Sequence, residues 1–248
     1  MAQSRRKQVS TMPMDFHHHE FKSLLERIVS NPKGELKILT VRRLYSFLAG
    51  WFSAASIDFE LGLLGCRLDR WRLEHLDGLS YERWDSYVNN RHGNGEESFF
   101  IGLSTLHLFL EYDVCEEFKN EFRYVDGMSK PDRYRLFTPS LQDHYLDWHR
   151  KSVYSLIKEI TGQMLSYVES YSLSRLDAYL WGWSLASEDP DGNRKELCSF
   201  FQYVKFRFST GNRGWWEGIE RIYGENSKSV TVARELFNDF QSTYENNM

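Results

Sequence analysis

The chain has 248 residues, with 31 Lys and Arg against 35 Asp and Glu for a formal net charge of −4. That slightly acidic balance argues against a nucleic-acid binder working by bulk electrostatics, and 41% hydrophobic residues argue against disorder over most of the length. Aromatic residues reach 16%, and three well-separated cysteines (Cys66, Cys115, Cys198) without a C-x-x-C indicate neither a disulfide framework nor a thiolate zinc site.

Residues 1–14 are polar and irregular and read as a mobile tail; they lack the apolar run and small-residue cleavage site of a signal peptide. Asp15 is placed to cap a helix running to Asn31, with Phe16, Leu24, Leu25 and Ile28 on its apolar side. Asn31-Pro32-Lys33-Gly34 reads as a turn. The segment from Glu35 to Asp58 then organises the chain. Leu44, Phe47, Leu48, Trp51, Phe52 and Ala55 share one helical face, which Ile38 and Val41 extend toward the N-terminus. A helix apolar over most of its circumference needs other helices around it. Its uncharged run is about 14 residues, below the roughly 18–20 of a membrane span, so a soluble, cytoplasmic protein with no membrane partner is expected.

Helical spacing resumes from Phe59 to Leu76 and breaks at Asp77-Gly78, after which Ser80 is placed to cap a short helix carrying Trp84, Tyr87 and Val88. NNRHGNG (89–95) reads as a loop, and Asn94 with Glu97 resembles a capping box for an apolar helix from Phe99 to Asp113, with Ile101, Leu103, Leu106, Leu108 and Leu110. Cys115 to Val125 reads as a shorter helix. The stretch 126–139, with two prolines and a glycine, is the best linker candidate. Two helical parts, 15–128 and 129–248, meet there unless it is a surface loop over a single domain.

Ser140 with Asp143 starts one long helix or two abutting ones, weakened at Gly162. Ser174 with Asp177 suggests a cap for Leu176 to Ser187. Glu188 to Asn193 is a turn, and Asn193 with Glu196 suggests the cap of a helix through Phe208. Within it YVKFRF could alternate as a strand but continues the helical pattern. Thr210 to Gly214 is loop, followed by helices Trp215 to Tyr223 and Val230 to Tyr244. With no convincing strand, the expected fold is all-α, a multi-helix bundle of about ten helices in one or two packed subdomains.

Catalytic signatures are weak. His17-His18-His19 point about 100° apart on a helix and cannot all face one ion, and no H-E-x-x-H exists, so no metal or other cofactor is expected. Gly182-Trp183-Ser184 imitates a nucleophile elbow, but LDAYLW ahead of it reads as helix where that chemistry needs a strand. Asp143, His144, Asp147 and His149 read as a solvated helix face. Arg70 and His75, in RWRLEH, match the R-x4-H spacing of the helical HEPN ribonucleases, in which the arginine would hold a phosphate and the histidine act as acid or base.

Acids and aromatics offer the other reading. Glu116, Glu117, Glu188, Asp189 and Asp191 form local acidic clusters, and Trp215-Trp216 follows a glycine-rich loop, so that one of the two is expected toward solvent or a neighbouring surface. Acids that steer a basic partner and aromatics that anchor it suit protein binding.

Three stretches carry a family likeness. They are Leu44-Tyr45 through Phe52-Ser53 with Ile57-Asp58-Phe59-Glu60-Leu61; Gly102-Leu103-Ser104-Thr105-Leu106 ending in Leu108-Phe109-Leu110; and Tyr179-Leu180-Trp181-Gly182-Trp183. Together they resemble the two-part helical immunity proteins that neutralise PoNe-type DNase toxins. Ala54-Ala55 stands where that family usually places a glycine. The resemblance implies a cytoplasmic antidote that binds a basic toxin domain and catalyses nothing, with the HEPN-like ribonuclease as the alternative.

Overall fold

The computed structural model describes residues 14–55, 83–113, 151–168, 170–211 and 213–245. Among them are eleven helices and no strand: α1 (Met14–Ser30), α2 (Pro32–Leu36), α3 (Val41–Ala55), α4 (Trp84–His92), α5 (Glu96–Asp113), α6 (Val153–Gly162), α7 (Met164–Tyr167), α8 (Leu173–Ala186), α9 (Pro190–Phe208), α10 (Trp215–Tyr223) and α11 (Ser227–Glu245). The all-α bundle read from the periodicity is the observed architecture. No described helix is long and apolar enough to cross a membrane.

The face read on α3 is the buried one: Leu44, Phe47, Leu48 and Trp51 all lie in the core. The helix starts later than its apolar pattern suggests. Asn31 caps the short α2, its side chain accepting from the Gly34 N–H at 3.2 Å, so Asn31 to Gly34 opens a helix where a simple turn was expected. Lys37 then turns the chain at a left-handed φ of 61°, and Thr40 Oγ1 accepts from the Arg43 N–H at 3.2 Å to start α3. Ile38, expected on the buried face, is exposed because it lies in this connection.

Other boundaries also shift. The NNRHGNG stretch is helical through His92, and the start of α5 is tied by Ser98, whose Oγ accepts from the Gly95 N–H at 3.2 Å, rather than by Asn94 with Glu97. Leu108, one of the apolar residues read on this helix, is exposed on α5. Ser152 caps α6, and the helical run breaks at Gly162 and Gln163, where the glycine weakens it. YVKFRF lies within α9. The linker candidate 126–139 and the helices expected over 59–76 and 115–125 lie outside the described residues.

Two hydrophobic clusters fill the bundle. Phe21, Leu25, Phe47, Trp84 and Phe99 lie in one, and Leu156, Trp183, Phe200, Trp215 and Phe237 in the other. They meet where α3 lies along α8, and Trp181 and Ala186 pack against both. At this crossing the backbones nearly touch. A Cβ on Gly50 would fall 2.0 Å from the Tyr179 carbonyl oxygen, and one on Gly182 would fall 1.9 Å from that of Phe47. Only glycine permits such an approach. Side-chain bonds flank it: Tyr179 Oη donates to Ser53 Oγ at 2.7 Å and Arg175 Nε to Ser46 Oγ at 3.0 Å.

Candidate functional site

Among the described residues, a group of buried polar side chains lies beside the α3–α8 crossing, where α2, α9 and α10 also converge. Its centre is Asp177. Ser174 with Asp177 reads locally as a cap, but α8 already begins at Leu173, so both residues lie inside the helix. The end of α8 is closed from another helix instead, since Glu220 Oε1 on α10 accepts from the Leu173 N–H at 2.6 Å. Burial raises the Glu220 pKa, while the Leu173 and Ser174 N–H groups pull it down.

With that end closed, Asp177 turns inward, 1% exposed, and accepts from the Arg43 guanidinium and from Trp215 Nε1 at 2.8 Å. Arg43 is equally buried. Its Nε donates to the Leu36 carbonyl at 2.5 Å, its Nη1 to the Ser174 carbonyl and to Ser174 Oγ, and its plane lies 4.6 Å from the Trp216 ring. A charge buried this deeply is stable only with such complete pairing. Lys37 covers the pair from the solvent side. Its Nζ stands 3.4 Å from Asp177 Oδ1 and 5.2–5.8 Å from the centres of the Phe201, Trp216 and Trp181 rings. The left-handed backbone at Lys37 gives it this reach.

A second carboxylate, Glu35, extends the network. It accepts from Arg27 Nε at 2.8 Å and lies 3.9 Å from Arg194, whose guanidinium sits 4.6 Å from the Trp181 ring. Each charge here has an opposite charge within 4 Å from another element, although Glu35 Oε2 itself accepts no hydrogen bond among the described residues. The arrangement orients α2 and α3 against α8 and α10, and its chemistry is that of a clamp rather than of an acid–base couple.

Sequence-read candidates fall in different places. Trp215 and Trp216 are both buried, at 1% and 3%, so neither meets the expectation of a solvent-facing anchor. Arg43, Asp177 and Lys37 explain why: the two indoles line a polar interior that gives their faces cations and one N–H an acceptor. Glu188, Asp189 and Asp191 are exposed together at the α8–α9 corner. Asp189, rather than Asn193, caps α9, accepting from the Gly192 N–H at 3.0 Å with Pro190 in the first turn. Asn193 instead donates to Ser187 Oγ at 2.9 Å, and Ser187 donates to the Ser184 carbonyl at 3.0 Å, which stiffens the corner.

Ser184 is buried on α8 and donates to the Trp181 carbonyl at 2.8 Å, in a helix as its surroundings implied. Arg70, His75, Glu116, Glu117 and the Asp143 to His149 group lie outside the described residues. His17 to His19 fall within α1. Among the described residues no group of three or more His, Cys, Asp or Glu is placed to hold a metal ion. Arg43, Lys37 and Glu220 carried no signal in the sequence, because each acts on a residue remote in the chain.

Compared with protein families, with curated proteins and with solved structures, the chain matches none.

Proposed function

We propose that the chain is a non-enzymatic, cytoplasmic protein-binding module that neutralises a toxin domain, as its likeness to the immunity proteins of PoNe-type DNases implies. The observation that carries this reading is the acidic corner of Glu188, Asp189 and Asp191. It is exposed, and its backbone is held by the Asp189 cap and the Asn193–Ser187 bond. Carboxylates fixed in advance on a stiff corner lose little freedom when they meet a basic surface, and they speed the encounter. Asp191 also sits in the first turn of α9, where the helix dipole favours a negative charge.

The test is protection. Co-expressed with a PoNe-type DNase domain, the chain should rescue growth and co-purify with that domain. Glu188→Lys combined with Asp191→Lys should abolish the rescue while leaving the helical circular-dichroism spectrum unchanged. Growth arrest despite soluble antidote, or rescue undiminished in the charge-reversed variant, rejects the reading. Cleavage of labelled RNA by the purified chain, lost in His75→Ala, rejects it in favour of the ribonuclease.

A further inference from the structure

Lys37 stands in a backbone conformation that its side chain disfavours. It follows α2 at φ 61° and ψ −57°, and across it the Ile38 N–H donates to the Leu36 carbonyl at 2.6 Å. That is a γ-turn of the rare hand, which a residue with a Cβ enters only under strain. A glycine would adopt it freely, yet the chain carries a lysine. The strain fixes where one ammonium group goes.

It goes among three rings. Lys37 Nζ lies 5.2 Å from the centre of Phe201, 5.4 Å from Trp216 and 5.8 Å from Trp181, with Asp177 Oδ1 at 3.4 Å. These walls come from α8, α9 and α10, and they stand without the lysine. Phe201 and Trp216 are buried in the core, and Asp177 already holds the Arg43 guanidinium and the Trp215 N–H. Lys37 is the loosest member of the group. Its side chain is 44% exposed, and the bond to Asp177 is the side chain's only one among the described residues. Arg43 and Arg194 lie over the same two indoles, each at 4.6 Å, so neither ring is committed to the lysine alone.

We propose that Trp181, Phe201, Trp216 and Asp177 form a binding site for a primary alkylammonium group, of which Lys37 is the tethered occupant and which an ammonium from outside enters by displacing it. Ring faces and a carboxylate are what a partly desolvated cation needs, and the lysine shows that an unbranched alkyl stem fits the approach. Departure of Lys37 lets the strained turn relax, which offsets part of the lost contact. The site is separate from the acidic corner and does not depend on the protein-binding reading.

Lys37→Gly vacates the site and eases the turn, so the full chain should keep its helical circular-dichroism spectrum. Lys37→Ala, which vacates the same space under strain, should melt lower and bind alike. Thermal unfolding and titration calorimetry then compare propylammonium chloride with sodium chloride at equal ionic strength. Propylammonium should raise the melting temperature of both variants in proportion to the logarithm of its concentration, and n-propanol, the same shape without the charge, should not. The wild type should take up the ion at least about tenfold more weakly, because its own lysine competes from a tether. Phe201→Leu added to Lys37→Gly should weaken binding about fivefold through the loss of one ring. Nα-acetyl-lysine amide binding more tightly than propylammonium would identify the lysine of a polypeptide as the incoming group, and equal or weaker binding would identify a free amine. The site is disproved if propylammonium stabilises the two variants no more than sodium does, or if n-propanol does as well. A wild type that binds as tightly as Lys37→Gly, or not at all, overturns the displacement of a tethered lysine.

Discussion

Two regions join the halves of this protein, and they do so by opposite means. At the Gly50–Gly182 crossing, α3 and α8 meet backbone to backbone, and cohesion comes from the absence of side chains. A few residues toward the N-termini of the same helices, Arg43 and Asp177 join through full charges removed from water. The first depends on shape alone and tolerates no added atom. The second depends on completeness, because a buried charge stabilises only while its partner is present. The crossing sets how closely the helices approach, and the charged clamp sets which residues face each other.

Substitutions should separate the two. The largest loss is expected for Asp177→Ala, which strands the Arg43 guanidinium and the Trp215 N–H in the interior. About 3–5 kcal/mol should disappear from the unfolding free energy measured in urea. Next is Gly182→Ala, whose methyl must displace the Phe47 carbonyl and push the helices apart, at a cost of about 3 kcal/mol in the same assay. The pair Arg43→Met with Asp177→Leu should lose less than Asp177→Ala alone, since apolar groups of similar volume leave no stranded charge. A double change as damaging as the single one would mean that the clamp contributes net stability. Asp189→Ala should cost only about 1 kcal/mol by uncapping α9.

The smallest effect concerns pH. Burial raises the Glu220 and Glu196 carboxyls above their unfolded values, so in the window between the two values the folded state binds more protons. The contribution of these two groups to stability should therefore be greatest below the ordinary carboxylate range and fall as pH rises through the raised values. Glu220→Gln, which keeps an acceptor for the Leu173 N–H without the charge, should flatten that decline in denaturation curves taken across the window.

Helix positions and the buried face of α3 were legible because they follow from spacing within a few residues: Leu44, Phe47, Leu48 and Trp51 need only the helical period. The polar interior was not. Asp177 carries a local capping pattern, but its partners Arg43 and Trp215 lie 134 and 38 positions away. Gly182 resembled part of a catalytic elbow because the helix that needs its missing side chain comes from the other half of the chain. Trp215 and Trp216 followed a loop and suggested a surface, and the cations beside the Trp216 ring come from the turn after α2 and from α3. Pairings between elements leave no periodic trace, and local caps lost wherever such a pairing competed for the same residue.

The 134 positions separating Arg43 from Asp177 also bear on how the molecule is made. At roughly 5–20 residues per second, on the order of ten seconds of synthesis pass after the arginine leaves the ribosome before its carboxylate follows. Until then the nascent N-terminal half holds a cation shaped for an interior that does not yet exist. Completion of the fold waits on the second half, and a chain cut short before Asp177 is a substrate for chaperones and proteases rather than a working fragment.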